Sequence, residues 1–412
     1  MTQDEEDATR AIKLEDRLKM RLEQLDKENK EQNVSYMTQQ EYIKHLEFLN
    51  EDLMQAWNVQ NDRVRSLKIV IKCSKIMSRN SVPQFYPSMF VLVCQVLDTF
   101  GKLVFERIRE KCQEVDSMTG RITSKLPIDF TSRDVSEDAK EVCRNWFFKV
   151  ASIRELIGRL YVEMAILGCT RFLRDDKKML IADFERLAKT IRGIGDPLVA
   201  TYARCFLARK GHELIPEEKG YLLTLYEDFF TTLPQMETPA FESFLAQSQL
   251  TRDQYLDLFS PALEWIIECI GNEAGDAMFQ RVLRLYEQKC KQSMVLNHII
   301  SSFDAGIISN SASVLIFMIK DCNDGTLPRF KLLRSLGEKF CVCPPLESNK
   351  LELLNEVWKY VTKMEELSDY VPIVEVFIEF VCKSFELREV NILLGDLLRH
   401  LKASGQHESV EH

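Results

Sequence analysis

Chain breakers are scarce in this sequence: 412 residues hold only 15 glycines and 12 prolines. A sheet-rich fold with many tight turns draws heavily on both, so their scarcity argues against one. Long apolar runs are scarce as well. No stretch approaches the roughly 18 uncharged apolar residues of a membrane span. The most apolar run, Ser313 to Ile319, is far shorter, and no direct membrane insertion is expected. The opening residues, MTQDEEDATR, are acidic and polar and do not read as a signal peptide. An excess of positive charge is also missing, since the formal net charge is −9. Nucleic acid is therefore not an expected partner, because phosphate neutralisation needs a basic surface.

Catalytic signatures are absent too. The sequence contains no GxxxxGK[ST], HExxH, GxSxG or paired CxxC motif. Gly193-Ile194-Gly195 opens like a dinucleotide loop but lacks the third glycine and a preceding strand, so it reads as a turn between helices. Cys341-Val342-Cys343 offers two thiols without the further ligands a zinc site requires, and helix-end packing is the better reading. Asp321, Asn323, Asp324 and Gly325 imitate a calcium loop with the glycine one position early and no bidentate glutamate. The six histidines form no HxH or HxxxH pair, and Asn33-Val34-Ser35 is a sequon with no evident route to glycosylation. No catalytic, cofactor-binding or metal-binding residue is expected, and the chain is not expected to be an enzyme.

What is present points to helix. Hydrophobic residues make up 45% and charged residues 28%, an ordinary balance for a folded protein. Twelve cysteines are spread almost evenly, most within apolar helical stretches such as Val91-Leu92-Val93-Cys94. They read as small core residues in a reducing compartment rather than as a disulfide framework. Most carboxylates have Lys or Arg three or four residues away, as on solvated helix faces.

Residues 1–37 are highly charged, with Leu14, Leu18, Leu22 and Leu25 forming a narrow stripe. This segment reads as a partly disordered, solvated amphipathic helix, with a coiled-coil seam as the sharper alternative. Over 38–60, Tyr42, Leu46, Leu49, Leu53 and Ala56 draw one apolar line, and Thr38 with Glu41 forms a capping-box start. From there to residue 402 amphipathic helices alternate with short breaks: Asn80–Pro87, Asp116–Asp134, Gly193–Pro197, Gly211–Pro216, Leu233–Pro239, Ser260–Pro261, Asn272–Gly275, Asp324–Pro328, Cys343–Ser348 and Ser368–Pro372. Asp196-Pro197 and Ser260-Pro261 each place an N-cap residue before a first-turn proline. Short loops make neighbouring helices antiparallel, so the expected fold is all-α: an α-solenoid of stacked antiparallel helical hairpins, HEAT-like in its loose repeat spacing. Residues 113–136 read as a long surface loop, and 403–412 as a polar C-terminal tail.

One stretch departs from the pattern. In SIRELIGRLYVEMAIL, residues 152–167, Ile153, Leu156, Ile157, Leu160, Met164 and Leu167 recur at helical spacing, yet Gly158 interrupts them. Glycine inside an exposed helix costs about 1 kcal/mol relative to alanine. Leu160 and Tyr161 share the apolar face, while Arg159 points about a quarter-turn away. Two readings stand: a core helix whose arginine pairs with Glu155 or Glu163, or a surface whose Arg and Tyr meet a partner.

Three stretches carry a family resemblance: QFYPSMFVLVCQVLDTFGKLVFERI (84–108), NWFFKVASIRELIGRLYVEMAIL (145–167) and IRGIGDPLVATYARCFL (191–207). Together they resemble the amino-terminal part of the large α-solenoid scaffold subunits of retriever, the vacuolar protein sorting 35-like branch related to the retromer large subunit. The likeness continues more thinly through LFSPALEWIIECI (258–270), SLGEKF (335–340) and 354–391. It implies a non-catalytic, cofactor-free scaffold, cytoplasmic and peripheral on endosomes, that supports recycling of membrane-protein cargo to the plasma membrane. The implied partners are an arrestin-like sorting subunit, a phosphoesterase-fold subunit and a coiled-coil-containing endosomal assembly. Members of this family continue for many more helices, so the main docking region of the phosphoesterase-fold subunit is expected to be missing from this chain. The retromer relatives mark the arrestin-like subunit's site with Pro-Arg-Leu-Tyr. Gly158, Arg159, Leu160 and Tyr161 occupy that motif here, with glycine where a helix-bending proline stands in retromer. The alternative function is a helical-repeat adaptor that takes a peptide or nucleic acid in a concave groove.

Overall fold

The computed structural model describes residues 39–78, 82–112, 114–115, 122–124, 126–323, 325, 327–364 and 366–408. The amphipathic segment read over 1–37, together with Thr38, lies outside these residues. The chain divides into two compact units: residues up to Tyr221 with Gln235–Leu250, and Leu222–Pro234 with Thr251 onward. Among the described residues the fold is all-α, apart from one small hairpin in the first unit.

The first unit holds α1 (Gln39–Asn58), α2 (Arg63–Ile76), α3 (Tyr86–Lys111), α4 (Glu137–Ala151), α5 (Leu156–Ala165), α6 (Lys177–Ile191) and α7 (Pro197–Leu214). The division between units falls within α8 (Gly220–Phe230), and α9 (Pro239–Ser248) returns to the first unit. The apolar line on α1 is buried at Leu46, Leu49, Leu53 and Ala56, while Tyr42 at its start is half-buried. Trp57, Phe100 and Trp146 join α1, α3 and α4, with ring centroids 5.7–6.2 Å apart. Such edge and offset contacts add to the area buried.

Helix α3 is the axis of this unit, packing against α1, α2, α4 and α5. It corrects one expectation, because the helical stretch Pro83–Lys111 is long and apolar enough by length and composition to cross a membrane. A search for uncharged runs passes over it because Asp98 interrupts the sequence. The side chains are apolar for another reason: Phe90, Val93, Leu97, Phe100, Val104 and Ile108 are buried against neighbouring helices. Asp98 itself is held by Arg209 at 2.5 Å and Lys210 at 2.8 Å, both on α7.

The segment read as a long loop is more structured than expected. Glu114–Val115 (β1) and Ile122–Ser124 (β2) pair antiparallel, and Phe130 and Val135 are buried. Arg171 fastens the segment, donating to the carbonyls of Ile128 and Phe130 at 3.1 and 3.0 Å and lying 4.3 Å above the Phe130 ring. No local pattern announces this anchorage, since its partner lies some forty residues away.

The second unit continues with α10 (Arg252–Asp257), α11 (Ser260–Gly271), α12 (Asp276–Lys289), α13 (Ser293–Ser302), α14 (Ala305–Asn310), α15 (Ala312–Asp321), α16 (Arg329–Val342), α17 (Lys350–Val361), α18 (Leu367–Ser384) and α19 (Leu387–Glu408). Its strongest packing runs α11 to α13 to α16 to α18 to α19, and α15 touches α17 in a second row. Alternate helices thus stack on one another, as in α-solenoids. Phe340 lies 5.3 Å from Phe380 within the α16–α18 stack.

Asp196 caps α7 as expected, accepting from the Leu198 and Val199 N–H groups at 2.9 and 3.0 Å. Ser260 does not cap α11: the cap is Phe259, without a side-chain bond, and the Ser260 hydroxyl instead meets His298 at 3.0 Å. Pro372 does not break the chain but sits inside α18. It lies early enough that most of the helix ladder runs beyond it.

Candidate partner-binding site

Residues 152–167 form neither one helix nor one surface. Helix α4 ends at Ala151, the chain turns, and α5 begins at Leu156, with its first backbone bond from the Arg159 N–H to the Glu155 carbonyl at 3.0 Å. Gly158 is therefore the third residue of a new helix. This corrects the reading of Gly158 as an interruption within one continuous helix. A first-turn N–H has no intrahelical acceptor, so a proline near this point would cost no ladder bond. Glycine and proline can occupy the same helix start.

Nor does the backbone at Gly158 require glycine. Its φ is negative, and an added Cβ would meet Ile153 and Ile71 side chains at 3.9 Å and Lys75 at 4.0 Å, ordinary contact distances. Gly158→Ala is accordingly expected to stabilise the first unit by about 0.5–1 kcal/mol, through lower unfolded-state entropy. Thermal melting checks this, and a loss of stability would mean that the first turn is more crowded than it is here.

Leu160 and Tyr161 belong to the interior, with 2% and 0% of their surface exposed. The Tyr161 ring lies 5.5 Å from Phe206. Burial pushes its phenol pKa well above the usual value, so the group stays neutral. Arg159 differs: its side chain is 40% exposed and reaches Glu163 only through Nε, at 3.9 Å. Glu163 is held more closely by Arg186 on α6, at 2.5 Å, and Arg186 also pairs with Asp183 at 3.7 Å. Arg174 completes the chain at Asp183. Three guanidinium groups share two carboxylates, and Arg159, at the open end, keeps most of its planar donor fork available for a carboxylate or carbonyl. The Arg159–Glu163 pair was legible from the four-residue spacing. Arg186 was not, because it arrives from another helix.

The other motifs take structural places. Gly193, Ile194 and Gly195 form the turn between α6 and α7. Cys341 and Cys343 lie at the end of α16, where the Cys341 thiol donates to the Val376 carbonyl at 3.4 Å and the Cys343 carbonyl accepts from Ser309 at 2.5 Å. Asp321 pairs with Lys291 at 2.7 Å, and Asp324 lies outside the described residues. Among the described residues no group of three His, Cys, Asp or Glu side chains is placed to hold a metal ion. The twelve cysteines are free, and burial pushes the Cys73, Cys94, Cys143 and Cys290 thiols up to about 12, where they are protonated and inert.

Comparison with known proteins covers nearly the whole chain. The VPS35L family model matches residues 2–258, and the VPS35L C-terminal domain model matches 274–411. A human protein named VPS35 endosomal protein-sorting factor-like is 41% identical over 395 residues, which cover 95% of this chain and 40% of the human one. The corresponding Dictyostelium discoideum protein is 37% identical over 401 residues, covering 96% and 39% of the two chains. That of Drosophila melanogaster is 35% identical over 384 residues, covering 93% and 40%. The chain thus spans about 40% of the length of these curated relatives.

Proposed function

The chain belongs to the VPS35L family, and from that premise we propose that it is a non-catalytic scaffold for endosomal protein sorting. In this reading it acts within a retriever-like assembly, peripheral on the cytoplasmic face of endosomes, and helps return membrane-protein cargo to the cell surface. The names of its relatives, VPS35 endosomal protein-sorting factor-like, support the sorting role. The observation that carries the scaffold reading is the second unit's stack of alternate helices, in which α11, α13, α16 and α18 pack successively on one another.

The arrestin-like subunit is proposed to bind at α5, with Arg159 as the contacting residue. Leu160 and Tyr161 set its position from inside the core, and Gly158 stands in the first turn beside it. Arg159→Ala is expected to weaken capture of that subunit by about tenfold, equivalent to ~1.4 kcal/mol. Melting should be unchanged, because a loose exposed pair with Glu163 contributes under about 0.5 kcal/mol. Pull-down with purified subunit, alongside a thermal melt, measures both. Undiminished capture would remove Arg159 from the site, whereas a lowered melting temperature would assign it to the fold. The phosphoesterase-fold subunit and the coiled-coil-containing assembly are proposed as further partners of the complex.

A further inference from the structure

Helix α2 runs against the charge of the whole protein. Its fourteen residues, RVRSLKIVIKCSKI, carry Arg63, Arg65, Lys68, Lys72 and Lys75 and no carboxylate, in a chain of net charge −9. One face is buried through Leu67, Ile69, Val70 and Cys73, and the other presents Lys68, Lys72 and Lys75 at successive turns. Three of the five cations have local explanations. Arg63 donates to the Trp57 carbonyl at 2.6 Å, Arg65 pairs with Asp52 at 2.6 Å, and Lys75 pairs with Glu155 at 2.7 Å. Lys68 and Lys72 have no ion-pair partner among the described residues.

Solvation and the helix dipole do not fully account for this stripe. A cation in the last turn is favoured by the dipole, which suits Lys75. Lys68 stands mid-helix, and its spacing from Lys72 is that of a repelling like-charge pair. The first turn of α5 adds to the positive field. Its cap residue, Glu155, makes no side-chain bond to the helix end and is held by Lys75, and Arg154 beside it is exposed. Lys75 also lies against Gly158, so α2 and the start of α5 form one continuous surface.

We infer that this surface docks an acidic segment of a partner protein, laid along α2 with its carboxylates at Lys68 and Lys72. A flat anionic membrane fits less well, because the adjacent helix α1 exposes Glu41, Glu47 and Glu51. A narrow acidic segment needs only the line of lysines along α2, whereas a flat surface would span the neighbouring helix as well. The surface goes beyond the proposed arrestin-like site: the Arg159 guanidinium turns to the α6 flank of α5, through Glu163 and Arg186.

The test uses the full chain and a labelled peptide of alternating Asp and Glu. Fluorescence anisotropy should show binding that weakens as salt is raised and falls about tenfold in Lys68→Ala/Lys72→Ala. Arg159→Ala should bind the peptide as the unaltered chain does, which separates this surface from the arrestin-like site. The melting temperature of the double alanine variant should hold or rise, since a repulsion is removed. Lys68→Gln/Lys72→Gln supplies the same charge loss with long side chains retained. Absence of peptide binding, or binding indifferent to both lysine variants, overturns the inference. Lysine-dependent binding to phosphatidylserine vesicles without binding to the peptide overturns it in favour of a membrane surface.

Discussion

Gly101→Ala is expected to destabilise the first unit by about 3 kcal/mol or more, the upper range for overpacking a well-filled core. A Cβ at position 101 would stand 2.3 Å from the carbonyl oxygen of Ala165 and 3.2 Å from its carbon. These are backbone atoms at the end of α5, so no side-chain rotation relieves the contact. Helices α3 and α5 would have to separate, and both are held by further packing, α3 by α1 and α4 and α5 by α2 and α7. Loss of this size lowers the melting temperature by about 6–12 °C for a folded unit of this length. The substitution is diagnostic because helix propensity alone predicts the opposite sign, a gain of about 1 kcal/mol. Gly158→Ala has the same propensity term without the obstruction. A calorimetric comparison of the two variants therefore reads packing directly: one should rise and the other fall. Equal behaviour would contradict the close approach of α3 to Ala165.

These two glycines also mark what can be read from sequence. Gly158 stands beside a motif, yet its place is an ordinary helix start. Gly101, in LDTFGKLVF, sits inside an apolar helical pattern with no local cue, and its constraint comes from a carbonyl 64 positions later. Periodicity registers which face of a helix is apolar. It does not register how closely a second helix passes. The helical class, the apolar line of α1 and the capped start of α7 were legible because each depends on neighbours within a turn or two.

The candidate site divides along the same line. The burial of Leu160 and Tyr161 follows from their spacing with Ile157 and Met164. Availability of Arg159 does not, because it depends on Arg186 drawing Glu163 away from it at 2.5 Å. The Ser260-Pro261 pair misled for a related reason. The dipeptide has the chemistry of a helix cap, but a buried imidazole on α13 takes the serine hydroxyl instead. A tertiary hydrogen bond in a dry site outweighed a local one that solvent could replace.

That imidazole makes the second unit acid-labile. His298 is 6% exposed, bridges α11 and α13 through Ser260, and has its pKa lowered from 6.5 to about 4, chiefly by burial, with Asp257 opposing the shift. In the folded state it is neutral throughout the range in which the unfolded chain becomes protonated. Between pH 6.5 and about 4 the unfolded state binds the additional proton, so stability falls as pH falls. Above 6.5 the group contributes no slope, and below about 4 the folded state titrates too and the loss is complete. The full loss is about 3 kcal/mol, and roughly 2 kcal/mol is already gone at about pH 5. Surface carboxylates act elsewhere on the pH axis. Glu356, held by hydrogen bonds from Lys320 and Lys359, has a pKa lowered to about 2, and its stabilisation fades only as pH falls below 4.5. Urea melts between pH 7.5 and 4.5 should therefore show a decline that His298→Gln, which can still hydrogen-bond Ser260, removes. A decline of the same steepness in that variant would place the acid sensitivity in other groups. A flattened one would identify His298, at the α11–α13 contact, as the group whose protonation destabilises the second unit.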